Sequence, residues 1–383
     1  MFSYPTPFTP PTTEDDRLSW LRLIRSRRIG VATFYRLLDE YGSARAALLA
    51  LPEVAKAAGE NSYEPCPEGV VLAEMRAGKA AGARLVCRGE AGYPELLGGI
   101  SDPPPLLWMR GDTALAARPM IALVGSLNAS SLGTRMARKM AADLGAAGVT
   151  IVSGLARGID AAAHLAALPT GTIAVMAGGL DRVYPAENTS LYGDILHKGL
   201  ALSEQAMGTN PVSRHFPQRN RIVSGLCLGV VVIEAAARSG SLITARTALE
   251  QGREVLAVPG HPFDGRAAGC NMLIRDGAQL VRGADDVLEA LKLAGKPDAA
   301  AVKPKGAAPA PEKTAPAAVE RSWRDIAALH RQILDRLGPS PVSEDQLIRD
   351  LALPASAVAP ELTTLELEGR VHRHAGGLLS RLD

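Results

Sequence analysis

From Ile121 onward the apolar residues fall into short unbroken runs separated by alanine-rich stretches with helical spacing. Residues 121–124, 150–152, 172–176, 201–203, 230–233 and 254–258 read as strands, with helices over 131–147 and 158–167. None of the strands alternates apolar with polar, the pattern of strands covered on both faces. Strand and helix in regular alternation require right-handed crossovers. The expected class is therefore α/β, an extended Rossmann-like doubly wound parallel sheet over residues 83–293.

The flanks follow other rules. Residues 1–82 show helical periodicity with short breaks and little strand character, a small helical N-terminal domain. An Ala/Pro/Lys tract over 294–320 lacks the apolar surface to fold and reads as a linker. Within 321–383 the spacing predicts helices at 323–337, 343–350 and 355–368. Strands at 370–373 and 378–381 follow, joined through Gly376-Gly377. Three helices and a hairpin suggest a winged helix. Its third helix carries Glu361, Glu366 and Glu368 and no basic residue, so a protein-contact role fits better than base reading.

Composition narrows the class little. Hydrophobic residues make up 47% and net charge is +2, so a polyanion would have to be met by a local patch. Cys66, Cys87, Cys227 and Cys270 form no CxxC pair, which argues against a zinc knuckle or disulfide framework and for a reducing, cytoplasmic compartment. Residues 1–16 lack the apolar core of a secretory signal, and 226–237, interrupted by Glu234, is too short to span a bilayer. No membrane, metal or cofactor is expected.

In a doubly wound sheet, ligands sit beyond the carboxyl ends of the strands. There the chain places Gly125-Ser126, Ser153-Gly154 with Arg157-Gly158, Gly178-Gly179, and Ser239-Gly240-Ser241 with Thr244. Small-residue turns that open helices offer backbone N–H groups to anions. The dinucleotide fingerprint is missing, since Gly125 is followed only by Gly133, and no Walker A sequence occurs. Between Glu204 and Glu234 the chain has no acidic residue but holds Arg214, His215, Phe216, Arg219, Asn220 and Arg221. Such a cluster suits phosphates and stacked bases, and equally a basic helix start packed under its sheet.

Catalytic readings are weaker. Asp160 and His164 have the spacing of an acid–base pair, but a cap on turn N–H groups and a packed ring fit better. Ser126, Ser153 and Ser241 lie in no GxSxG context, and His261 stands alone. No catalytic group is expected. The Gly30 turn before an amphipathic helix, preceded by Arg22, Arg25, Arg27 and Arg28, fits a helix-hairpin-helix contact to phosphate or a helical bundle with a solvated basic face.

Several long motifs in one order resemble the DNA-processing protein A (DprA/Smf) family. They are residues 153–160, Gly179-Leu180-Asp181 with Tyr184-Pro185 and Asn188, Phe216-Pro217 with Arg219-Asn220-Arg221, residues 239–245, Ala257-Val258-Pro259-Gly260, and residues 269–274 with Gly277-Ala278. The resemblance covers roughly 90–290. It implies a non-enzymatic single-stranded DNA binder that dimerises through its Rossmann-like domain and loads the RecA recombinase in natural transformation. Phe216 would stack on a base, while Arg219 and Arg221 would meet phosphates. The turns at Gly125-Ser126, Ser153-Gly154 and Gly240-Ser241 would add donors, and Asn271, Met272, Leu273 and Ile274 would mediate self-association. Leu127 stands where the family usually has arginine and cannot pair with a phosphate, so one expected charge is lost unless Arg157 or Arg135 substitutes. A nucleotide phosphoribohydrolase-type enzyme is the alternative, with Glu250 as its distant acid. A structural adaptor acting through the winged helix is a third.

Overall fold

A computed structural model of the chain describes residues 9–293, 323–374 and 376–382; the expected linker lies outside them. Nine strands form one sheet: β1 (Arg84–Cys87), β2 (Leu106–Gly111), β3 (Met120–Val124), β4 (Thr150–Ser153), β5 (Thr172–Val175), β6 (Leu200–Ser203), β7 (Gly229–Val232), β8 (Glu254–Ala257) and β9 (Gln279–Leu280). Their order is β1-β2-β6-β5-β4-β3-β7-β8-β9, parallel from β6 to β9. β2 runs antiparallel to β6, and β1 to β2. These two strands, and the two-residue β9, were not expected from the pattern. β2 follows the proline run 103–105, which reads as loop, and β9 is exposed.

The strands carry unbroken apolar runs because successive residues serve two cores. Ile121, Leu123, Ile151 and Val231 pack with Met140, Leu144, Ile159 and Ala163 on one face. Ala122, Val124, Val152, Ile173 and Val230 pack with Ile222, Val223, Ala245 and Cys270 on the other. Four helices precede the sheet: α1 (Glu14–Arg25), α2 (Val31–Tyr41), α3 (Ala44–Ala57) and α4 (Glu68–Ala80). Within it run α5 (Glu95–Gly98), α6 (Ser131–Ala146), α7 (Ile159–Ala167), α8 (Thr189–Lys198), α9 (His215–Gly225), α10 (Ser241–Glu250), α11 (Ala268–Arg275) and α12 (Ala284–Ala290).

The chain leaves β3 outward through β4 and β5 to β6, then returns to β7 on the other side of β3. Val124 and Val232 are register partners, so the loops leaving β3 and β7 part at one level and open a crevice. The N-terminal helices bury Trp20, Phe34 and Leu37 in a core they share with Cys87 of β1 and Leu106 of β2. They are pinned to the sheet edge by Glu74, which accepts from Trp108 Nε1 (2.7 Å) and from Arg25 Nε and Nη2 (2.9 and 2.8 Å).

The C-terminal module comprises α13 (Trp323–Arg336), β10 (Val342–Ser343), α14 (Glu344–Leu351), α15 (Ala355–Leu367), β11 (Val371–His374) and β12 (Leu378–Arg381). Its three helices and small sheet, in the order β10-β12-β11, have the winged-helix arrangement around Ile333, Leu347, Leu362 and Leu379. Among the described residues no helix is long and apolar enough to cross a membrane.

Candidate nucleic-acid interface

The crevice between the β3 and β7 loops widens into a cleft of ≈ 530 Å³. α9 supplies one wall with a single helical face: Phe216, Arg219, Asn220 and Val223 follow i, i+3, i+4, i+7 spacing and all line the cleft. Opposite stand Gly125 and Leu127 after β3, and Gly154 and Arg157 after β4. Ser239, Gly240, Ser241 and Thr244, at and just before the start of α10, complete it.

Two aromatic rings stand at the cleft. Phe216 is half-buried and Tyr184, on the loop after β5, is 56% exposed. Their centroids lie 5.6 Å apart, tilted by 57°. The rings meet at a tilt rather than stacking face to face, so each keeps area for a flat partner. Tyr184 belongs to the Tyr184-Pro185 motif noted in the sequence, but nothing there marked its ring as facing Phe216.

Three helices begin near this rim, and they differ. Ser130 caps α6, its hydroxyl accepting from Gly133 N at 2.9 Å, and Glu234 fills the space behind it. The Glu234 carboxylate accepts from Ser130 N (3.0 Å) and Ser130 Oγ (2.6 Å), and a Cβ at Gly133 would overlap it. Burial pushes this carboxyl above its ordinary pKa, while the Ser130 donors and Arg266 pull it back. The position where a dinucleotide fold seats pyrophosphate is thus occupied by the protein's own acid. α7 begins at Gly158 with φ +74°, where a Cβ would overlap the carbonyls of Ser126 and Leu127. Asp160 ties back its loop, accepting from Gly154 N (3.1 Å) and Ala156 N (3.3 Å). α10 starts differently: Gly240 is its N-cap and no acid lies in its first turn; the Ser239 hydroxyl, 2.8 Å from that of Ser241, accepts from Ser241 N (3.4 Å), while Leu242 N and Ile243 N donate to the carbonyls of Ser239 and Gly240 (both 3.1 Å). With no carboxylate in that turn, its positive end favours an anion.

Arg219 is buried and crosses beneath the cleft floor. Its Nη1 donates to Val175 O (2.9 Å), its Nε has no partner among the described residues, and a Cβ on Gly154 would collide with the guanidinium. Its charge pulls down the Asp160 pKa, which burial otherwise raises. Arg157 is the exposed cation beside Leu127, its Nε 3.5 Å from Glu187 Oε1. Arg135 is exposed on α6 and does not line the cleft.

Nine of the expected site residues line this cleft: Gly125, Gly154, Arg157, Phe216, Arg219, Asn220, Gly240, Ser241 and Thr244. Five do not. Ser153 is buried and donates to Leu123 O (2.7 Å), Ser126 carries the carbonyl that accepts from Ile159 N (3.2 Å), and Gly158 only shapes the turn. Arg214 is exposed at the N-cap of α9. Arg221 lies on another face of α9, donating to Asp102 O (2.7 Å) and paired with the carboxylates of Asp102 (3.3 Å) and Glu204. Two residues apart on a helix, Arg219 and Arg221 cannot share one face.

The basic N-terminal turn is also engaged internally. Arg22 donates to Cys66 O (2.7 Å), Arg25 pairs with Glu74, and Arg27 and Arg28 pair with Glu60 (3.3 and 3.2 Å). Gly30 lines a cleft shared with Asp102, Glu204 and Arg221. The suggested Asp160–His164 acid–base pair is not formed. His164 Nδ1 lies 2.7 Å from Thr172 Oγ1, and burial lowers its pKa to about 3. Glu250 closes α10 at the end opposite the cleft, about 13 Å from Ser241 at 1.5 Å per residue. Among the described residues no His, Cys and carboxylate cluster has metal-binding geometry.

Fold and cleft together define a three-part α/β protein with a Rossmann-like central domain and a ring-lined cleft at its switch point. The family described as DNA recombination-mediator protein A matches residues 84–292, and the chain belongs to that family, DprA/Smf. The flanks match a DprA-like N-terminal HHH domain over 14–77 and a DprA winged helix domain over 307–377. The DNA processing protein DprA of Streptococcus pneumoniae is 48% identical over 198 residues, covering 51% of this chain and 70% of that protein. Protein Smf of Escherichia coli is 38% identical over 290 residues, 74% of each chain. The solved S. pneumoniae DprA structure overlays with TM-score 0.53 at 36% identity, covering 68% of this chain and 98% of that one. A Helicobacter pylori DprA structure, described as giving insights into a unique single-stranded DNA binding mode, overlays with TM-score 0.51 at 29% identity, covering 55% and 96%.

Proposed function

We propose that this protein binds single-stranded DNA in the cleft. Within that role it would act as a non-enzymatic recombination mediator, protecting incoming DNA and loading the RecA recombinase during natural transformation in the cytoplasm. The observation that carries the reading is the Tyr184–Phe216 ring pair beside the acid-free start of α10. Rings receive a base face without regard to sequence, and the helix start receives the adjoining phosphate. A duplex keeps its bases stacked inside, so the rings favour a single strand. The H. pylori relative, described for its single-stranded DNA binding, supports this reading.

The division into 1–82, 83–293, 294–320 and 321–383 goes with it as part of the proposal. So does homodimerisation: Asn271, Met272, Leu273 and Ile274 are half-buried on α11, next to the open sheet edge at β9. Photo-crosslinking of an oligonucleotide carrying a halogenated uracil, mapped by mass spectrometry, tests the site. Adducts at Tyr184 or Phe216 are expected, and adducts confined to the winged helix or N-terminal helices would contradict it.

A further inference from the structure

The winged helix does not stand clear of the cleft. Arg266, between β8 and α11, grips the carboxyl end of α13, its Nη1 donating to Asp335 O (2.6 Å) and its Nη2 to Leu337 O (2.7 Å). The last carbonyls of a helix carry partial negative charge and lack partners within the helix, so a guanidinium there is a strong clasp. Asp264 holds the clasp at 3.1 Å, and Glu234 lies 3.9 Å away. A Cβ at Gly338 would press on both Asp264 and Arg266, so the turn after α13 is fitted closely onto them. From the other side Arg336 reaches Ala129 O and Thr134 Oγ1, both at 3.4 Å.

The docked module borders a further open cavity of ≈ 400 Å³. Leu127, Arg157 and Glu187 line both it and the main cleft, so the two spaces meet along Arg157. On the winged-helix side the wall includes Asp335, Arg336 and Asp350. Arg336 reaches across to the central domain, so the winged-helix wall carries two carboxylates against one guanidinium. Asp350 accepts from Gln346 Nε2 (2.8 Å) with one oxygen, and its other oxygen is buried without a partner among the described residues. Among the described residues neither Asp335 nor Asp350 forms an ion pair.

We infer that the docked winged helix is an autoinhibitory gate: its Asp335 and Asp350 close the Arg157 side of the cleft to a polyanion, and release of the Arg266 clasp opens it. The inference rests on the proposed single-strand reading. A nucleotide or two fits the main cleft without meeting the winged helix. A longer strand leaving past Arg157 brings its phosphates against two carboxylates, where like charges at short range repel. Binding would then be penalised by strand length, and a partner that draws the winged helix away would unlock the longer track.

Anisotropy titrations with the full chain, using labelled oligo-dT of a short and a long length, test this. Arg266→Ala removes the clasp. Asp335→Asn with Asp350→Asn removes the wall's charge while leaving the clasp in place, and so serves even if loss of Arg266 impairs folding. The double variant is expected to bind the long strand more tightly, on the order of threefold to tenfold, with the short strand unchanged. Arg266→Ala is expected to shift in the same direction. Equal affinity of wild type and the double variant for the long strand would overturn the gate while leaving single-strand binding intact. Weaker binding by the double variant would overturn it too, making the winged helix part of the track. If no form, wild type included, bound either strand, the single-strand reading would fail and the gate with it.

Discussion

Phe216 and Tyr184 carry the most weight at the scale of single residues. Their rings meet at 5.6 Å, so each braces the other and neither acts alone. Phe216→Ala is expected to weaken single-strand binding by about 1–3 kcal/mol, the range for losing one stacking partner. Tyr184→Ala should do likewise, and the double variant should lose less than the sum, because the rings are in contact. A fluorescence titration giving strict additivity would show two independent sites instead. His164 makes a different point. Burial holds its folded pKa near 3, below its ordinary 6.5, so the neutral ring is the folded form. Its contribution is fully present above pH 6.5 and is lost as pH falls toward 3. Asp160, Glu204 and Glu234, whose pKa values burial raises, act in the opposite sense. They do so equally in His164→Leu, so the difference between the two melting profiles isolates the histidine. Wild type should lose more melting temperature than His164→Leu between pH 8 and pH 5 on the ordinary titration range of histidine, and parallel profiles would contradict the assignment.

At the scale of elements, α9 explains both what the sequence revealed and what it hid. The acid-free window and its aromatic were visible in one dimension, and helical spacing alone groups Phe216, Arg219, Asn220 and Val223. The fate of Arg221 was not visible, because one of its partners, Asp102, lies 119 positions away. Similarly, Glu234 was noted as the acid that closes the window and interrupts the apolar run 226–237, whereas its contact with Ser130, 104 positions earlier, places an acid at the start of α6. The central strands were legible because both faces are buried; β1 and β9 were not, being edge strands set by their neighbours, and β2 was hidden by the proline run 103–105 before it. Arg221 then gives a prediction about stability. Arg221→Ala strands Glu204, whose side chain is only 16% exposed, and should cost about 3–5 kcal/mol of folding free energy, read as a lowered urea midpoint. The salt slope of DNA binding should stay unchanged in protein that remains folded. A flatter slope would put Arg221 on the phosphates after all.

For the molecule as a whole, charge is local and largely compensated. Net charge is +2, Arg219 faces Asp160, and Arg157 faces Glu187. Affinity for a single strand should therefore lean on stacking and on the α10 start more than on counterion release. Its dependence on log salt should be shallow, near the ~−0.7 expected per phosphate neutralised on a single strand and close to one or two such contacts. The direct test is anisotropy of labelled oligo-dT against a duplex of the same length across a salt series. Tighter binding of the single strand, with that shallow slope, is the predicted result. Equal or tighter binding of the duplex, or a steep slope, would contradict a cleft built around two rings.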